Sequence, residues 1–399
     1  MLSVTEAIAT LVQAADRLVG VEAIALIEGL GRTLAADVVA TIDVPPADNS
    51  AMDGYALRHA DWTDESRALP LSQRIAAGSA PAPLAPGTAA RIFTGAEIPA
   101  GADTVVMQEH CEGTDAGVRL LRLPEHGANI RRRGQDIVSG QRVLSAGHRL
   151  RPQDLGLAAS LGVARVAVYR RLRVAILSTG DELVEPGEEA GPGRIYNSNR
   201  FTLQGQLTAW GFEAVDLGMV PDEPGAVRAA MLHAAQDSDV IITSGGVSVG
   251  EEDHDKAAVQ AEGALDLWKI AIKPGKPLAF GKVSPRDTAF IGLPGNPVST
   301  CVTFLMLVRP FLLACQGARV TAPRGLMMRA DFDWPKPDRR REFLRVRINH
   351  DGGLDLFPNQ SSGVLTSCAW ADGLVDNPPA QAVRRGELVR FIPFSELLY

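Results

Sequence analysis

The spacing of apolar residues changes character several times along this chain. Residues 4 to 31 carry apolar positions at helical spacing and predict helices. "VEAIALIEGLGRTLAADVVA" then turns toward strand near Val38, with Gly29 and Gly31 as punctuation. From residue 43 to about 140, short alternating stretches such as "TVVMQE" sit between Pro- and Gly-rich turns, which predicts a small β-domain without helices. "RPQDLGLAASLGVARVAVYR" predicts a short helix followed by a strand. From Leu172 the pattern becomes strand, loop, helix, repeated. "RVAILST", "FEAVDLGMV", "DVIITSGG" and "AFIGLPG" are the strands. "RFTLQGQLTAWG" and "EPGAVRAAMLHAAQ" are helices, and a long apolar helix follows Pro297. Such alternation predicts a parallel sheet covered by helices on both faces. Ligands bind such sheets beyond the carboxyl ends of the strands, where the loops at Gly180, Gly245 and Gly295 leave them. From Val320 the chain returns to short alternating strands ("REFLRVRINH", "LVRFIPF"), a further small β-domain.

Composition narrows the classes. The 399 residues are too many for one ordinary core. A net charge of −7 weighs against a general nucleic-acid binder, so anions would have to be held in local basic pockets. Cys111, Cys301, Cys315 and Cys368 form no C-x-x-C pair, which argues against a disulfide framework or a cysteine-rich zinc site. "MLSVTEAIAT" lacks the pattern of a secretory signal. The apolar stretches read as shorter than the ~18 residues that span a bilayer. The expectation is a cytoplasmic protein with no membrane and no nucleic-acid partner.

Four loops carry candidate chemistry. "SGGVSVGEEDHDK" (Ser244–Lys256) thins to Gly245, Gly246 and Ser248 directly after a strand, then crowds acids together. Bare N–H groups there favour a phosphate, although a strand-to-helix turn would also ask for glycine. The spacing is neither that of a P-loop nor that of a dinucleotide fingerprint. "STGDELVEPG" offers Asp181, as a helix cap or a ligand, and Glu182 as the better functional candidate. "IKPGKPLAFG" holds Lys273 and Lys276 in a turn stiffened by proline. Two cations ~5 Å apart at an effective dielectric of ~20 repel by roughly 3 kcal/mol, which a bound anion offsets and a solvated turn relieves. "GLPGNPVST" places Asn296 and Ser299 at the start of an apolar helix, where an anion gains ~0.3–1 kcal/mol. Asp53, Glu182, Asp222 and Asp253 could supply oxygen ligands to Mg²⁺. Arg131–Arg133 reads equally as a solvated face or as part of a site. No H-x-x-x-H pair or G-x-S-x-G elbow points to a zinc or serine hydrolase.

Together, "DVPPADNSAMDGYAL", "RIFTGAEIPAGADTVVMQE", "NIRRRGQDI", "LSTGDEL", "IYNSN", "SGGVSVGEEDHDK", "IKPGKPLAFG" and "GLPGNPVS" resemble the MoeA/gephyrin E-domain family, the molybdopterin molybdenumtransferases. They occur in the family's order over most of residues 43 to 300. "REFLRV" and "SSGVLTS" extend the likeness more weakly. The resemblance implies a linking domain (1–45 and 141–171), an inserted β-domain (46–140), an α/β domain like that of the molybdopterin adenylyltransferases (172–319) and a C-terminal β-barrel (320–399). It also implies a homodimer whose cleft combines both subunits. The implied reaction inserts molybdate into adenylylated molybdopterin with Mg²⁺ and releases AMP and molybdenum cofactor. Molybdopterin adenylyltransferase and molybdoenzyme-maturation proteins are the implied partners.

By the same resemblance, Lys273, Lys276 and Ser299 bind molybdate, with Arg345 and Ser367 closing that pocket. Asp253, Asp53 and Glu182 serve cleavage of the adenylyl bond and hold the metal. Thr94, Asp136, Asp222, Ser244, Gly245, Gly246, Ser248 and Asn296 line the substrate cleft. Gln135 and Asn197 depart from the family's usual Glu and Asp. A gephyrin-type scaffold and a standalone adenylyltransferase are the alternatives. The full set of acids and lysines speaks against the first, and the extra β-domains speak against the second.

Overall fold

A computed structural model describes residues 1–245, 260 and 263–398. Its centre is a six-stranded sheet of β1 (Arg173–Thr179), β2 (Glu213–Val220), β3 (Val240–Ser244), β4 (Gly263–Lys269), β5 (Pro277–Val283) and β6 (Thr288–Leu293). The strand order is β2-β1-β3-β6-β5-β4. β2, β1, β3 and β6 are parallel, whereas β5 and β4 run antiparallel. The four strands that the pattern predicted are parallel, and the two it did not name, β4 and β5, make the sheet mixed. The segments joining β4, β5 and β6, residues 270–276 and 284–287, are too short for the crossover of a dozen or so residues that parallel neighbours require.

β1, β3 and β6 are apolar along their length because both faces are covered. Val174, Ile176, Ile242 and Ile291 pack with α1 (Ser198–Ala209) and α3 (Pro297–Cys315). Ala175, Leu177, Ile241 and Phe290 pack with α2 (Pro224–Asp237). α3 passes through a π-helical turn at Phe304–Val308. By length and composition it could cross a bilayer, contrary to the sequence expectation, but 94% of it is buried in the protein. It is a core helix.

Of residues 4 to 31, only Val4–Gln13 is α-helical, opened by a Ser3–Glu6 capping box. Val21–Ala25 is instead a strand antiparallel to Arg165–Tyr169. A distant pairing partner has overridden the local helical pattern. Residues 49–120 hold a four-stranded sheet (Leu71–Ile75, Ala89–Ile92, Gly54–Leu57, Thr104–Met107) and a three-stranded one. The last sheet runs Ile272–Lys273, Arg341–Ile348, Gly373–Asn377, Leu388–Pro393, Leu326–Arg329, around Leu344, Val375 and Phe391. Ile272–Lys273 thus leaves the neighbourhood of β5 and joins a second sheet, parallel to Arg341–Glu342.

Candidate active site

The loops after β1, β3 and β6 and the lysine turn before β5 enclose a cleft of about 660 Å³. Glu182, Gly245, Lys273, Lys276, Asn296 and Ser299 line it. Lys273 is set by strand register. It stands opposite Glu342, and its Nζ donates to Glu342 Oε1 at 3.0 Å and lies 3.5 Å from Asp338. Glu342 is wholly buried and also accepts from Trp334 Nε1 at 2.8 Å. The lysine turn is therefore not two bare cations: one is matched by buried acid. Lys276 has no ion pair among the described residues and faces the cleft with its charge unmatched.

Gly275 explains how the turn sits so close to α3. Its φ is +94°, and a Cβ there would run into the Thr303 hydroxyl and stand 3.6 Å from Ser299 Cβ. Ser299 itself is buried at the third position of α3. Asn296, the N-cap, makes no side-chain capping bond, which leaves its amide to the cleft. Thr300 satisfies the turn instead, donating to Pro294 O at 2.6 Å.

Other expectations need correction. Gly245 N–H donates to Leu293 O at 3.0 Å, so it is not a bare anion donor. Asp181 caps no helix: Leu183–Val184 follows, paired with Ile195–Tyr196. Asn197 caps α1 by accepting from Arg200 N–H, a role an aspartate would fill equally. Gln135 likewise accepts from Arg132 N–H at 3.0 Å. Arg132 and Arg133 pair with Asp48 and Asp43, at 2.6 and 2.5 Å, rather than standing free.

Asp53, Thr94 and Asp136 do not line this cleft. Asp53 Oδ1 accepts from both the backbone N–H and the hydroxyl of Thr94, each at 2.8 Å. Those bonds hold its carboxyl below the usual range. Gly54 follows because a Cβ would strike Val106 O on the adjacent strand. Asp136 is exposed, and Asp222 lies just beyond β2 at the same edge of the sheet as the cleft. Ser244 is the buried last residue of β3. Gly246, Ser248 and Asp253 lie outside the described residues.

Arg345 and Ser367 come together, Arg345 Nε donating to Ser367 Oγ at 3.2 Å. They stand one layer behind the cleft wall. Wall residue Gln360 accepts from Arg345 N–H at 2.9 Å and donates to its carbonyl at 3.0 Å. Arg345 is 1% exposed, and its Nη2 has no partner. Burial lowers its pKa to about 10. Sequence reasoning missed Arg340, Gln360, Ser361 and Ser362 in the wall and Glu342 behind Lys273. "REFLRV" contains Glu342 and "SSGVLTS" contains Ser361 and Ser362, but neither stretch pointed to these residues. Among the described residues, no three His, Cys, Asp or Glu side chains gather to hold a metal.

Three family models match in sequence: MoeA N-terminal region (domain I and II) over residues 2–162, the probable molybdopterin binding domain over 175–314, and MoeA C-terminal region (domain IV) over 328–394. A molybdopterin molybdenumtransferase of Haemophilus influenzae is 41% identical, with 93% of each chain covered. Molybdopterin molybdenumtransferase 2 of Mycobacterium tuberculosis is 36% identical over 88% of this chain and 90% of its own. A crystal structure of the molybdopterin biosynthesis MoeA protein of Pyrococcus horikoshii OT3 superposes with a TM-score of 0.85 at 29% identity, over 98% of this chain and 100% of that one. On this identity, coverage and shared fold, the chain belongs to the MoeA family of molybdopterin molybdenumtransferases.

Proposed function

We propose that this protein inserts molybdate into adenylylated molybdopterin, hydrolysing the adenylyl group and releasing AMP and molybdenum cofactor. The observation that carries the reading is the unmatched Lys276 beside Lys273 and the Ser299 hydroxyl, in one cleft at the carboxyl edge of the sheet, in a chain of this family. Molybdate is a tetrahedral dianion. Lys276 and Lys273 offset its charge, and Ser299 supplies a hydroxyl at the start of α3, where an anion is favoured. Glu342 fixes the Lys273 ammonium. Arg345, whose Nη2 has no hydrogen-bond partner among the described residues, adds positive charge, and Ser367 orients its guanidinium.

Of the acids expected to hold Mg²⁺, Glu182 lines the cleft, and one carboxylate completed by water and substrate phosphate is within the usual mode of that ion. Glu182, with Asp253 and Asp53, would hold it, and the ion would neutralise charge on the phosphoryl oxygens. Asp53, Thr94 and Asp136, remote from the cleft of their own chain, act in the cleft of a second copy, which makes the protein a homodimer. Asp222, Ser244 and Gly245 border the pterin phosphate.

The test is incubation of the purified protein with adenylylated molybdopterin, Mg²⁺ and molybdate. AMP release together with active cofactor is expected. Consumption of ATP with unmodified molybdopterin would identify an adenylyltransferase instead. No reaction with either would leave only a scaffold.

A further inference from the structure

A second cleft, of about 630 Å³, shares no residue with the first. It lies where residues 143–151, the end of α1, α3 and residues 318–324 meet. Two arginines in its wall have no carboxylate partner within ion-pair distance among the described residues. Arg309 is 5% exposed, and its Nε donates to Leu305 O at 3.2 Å. Arg149 donates Nε to Gly31 O at 3.1 Å and Nη2 to Ala209 O at 3.4 Å. Both guanidiniums lie over Trp210, 4.9 and 4.7 Å from the ring centroid. Arg319 and Arg324 add charge at the exposed mouth.

The acids nearby do not balance this. Asp154 is already engaged by Arg151 and His148. Glu396 lines the same cleft and acts on Arg309 through space without an ion pair, and Asp37 acts on Arg319 in the same way. Burial without a partner makes a charged guanidinium unfavourable, and the Arg309 pKa falls to about 10 for that reason. In a protein of net charge −7, such a cluster stands against the overall field. The π-turn of α3 ends at Val308, immediately before Arg309, and such turns gather at functional sites.

We propose that this cleft binds an oxyanion of the phosphate class, as the phosphate end of a small molecule. The planar guanidinium fork matches phosphate oxygens in pairs. The cavity is far larger than one phosphate, which leaves room for an organic remainder. Trp210 is buried beneath the arginines, so the remainder occupies the space toward Arg319 and Arg324.

The experiment uses the full chain carrying Lys276→Ala, which weakens anion binding in the first cleft. Inorganic pyrophosphate, inorganic phosphate and AMP are titrated by calorimetry, with sodium chloride at matched ionic strength as the control. One saturable pyrophosphate site is expected, weakened about tenfold or more by adding Arg149→Gln. AMP binding that is tighter than phosphate and is weakened by Arg149→Gln would support an organic remainder, and an Arg149-dependent site with equal affinities would assign the cleft to the free ion. Arg309→Met should abolish the site and raise the Tm of the anion-free protein, because an unpaired buried charge is replaced by an apolar chain. If that variant fails to fold, Arg149→Gln decides. Isotherms unchanged by Arg149→Gln, or reproduced by chloride, would overturn the proposal. So would a weaker dimer with unchanged pyrophosphate binding, which would make the cleft a seat for an acidic segment of a second copy.

Discussion

Lys273 and Lys276 are three residues apart and of one type, yet the structure gives them different surroundings. Lys273 is tied to the buried Glu342, whereas Lys276 lines the cleft with no ion pair among the described residues. Removing Lys273 strands a buried carboxylate, so Lys273→Ala should lower stability by about 1–3 kcal/mol. Lys276→Ala should stay within ~0.5 kcal/mol, as surface changes do. Urea unfolding of the two variants measures this, and equal losses would contradict the assignment. The lysines were legible in "IKPGKP". Their difference was not, because the partner of Lys273 comes from a strand far along the chain and is set by sheet register. Arg340 and Gln360 were missed for the same reason.

At the scale of elements, strand–loop–helix alternation anticipated that the loops after Thr179, Ser244 and Leu293 leave the sheet at one edge, where the cleft lies. The strands β4 and β5 were not named from the sequence, because they follow one another through short turns without the helix that marked the other strands. The strand at Val21–Ala25 was hidden because its partner, Arg165–Tyr169, lies beyond the inserted segment. The turn at Gly275 is the element on which the anion cleft depends. Gly275→Ala meets both a positive φ and the Thr303 hydroxyl, and should cost about 1–3 kcal/mol. Gly78→Ala, at φ +82° in open space, carries the backbone strain alone. Thermal melts should show Gly275→Ala the worse of the two, and the reverse order would show that the turn tolerates a side chain.

A second element-scale prediction concerns the helix Pro152–Ser160. Burial would raise the carboxyl pKa of Asp154, but hydrogen bonds from Arg151 and His148 hold it well below the usual range. A carboxyl depressed in the folded state stabilises the fold above its unfolded pKa of ~3.9 and loses that contribution as pH falls further. Asp154→Asn should therefore be clearly less stable than the parent at pH 7, and the gap should narrow toward pH 3. A gap independent of pH would contradict the sign.

At the scale of the whole molecule, the sequence resemblance supplied candidate site residues and the expectation of a cleft shared between subunits. Thr94 is committed to Asp53 beside a four-stranded sheet, and neither residue lines the described cleft. Co-expression of Asp53→Ala with Asp253→Ala gives about half heterodimers on random mixing, each with one intact site if the cleft is shared between copies. Activity near a quarter of wild type is then expected, whereas inactive, folded heterodimers would mean that each site is built within one chain. The most direct test of the account as a whole is the molybdate dependence of AMP release in wild type and Lys276→Ala, the variant expected to leave the fold intact. Loss of one charge-assisted contact should raise the half-activating molybdate concentration roughly ten- to a hundredfold. An unchanged molybdate dependence would contradict the claim that this cleft holds the anion.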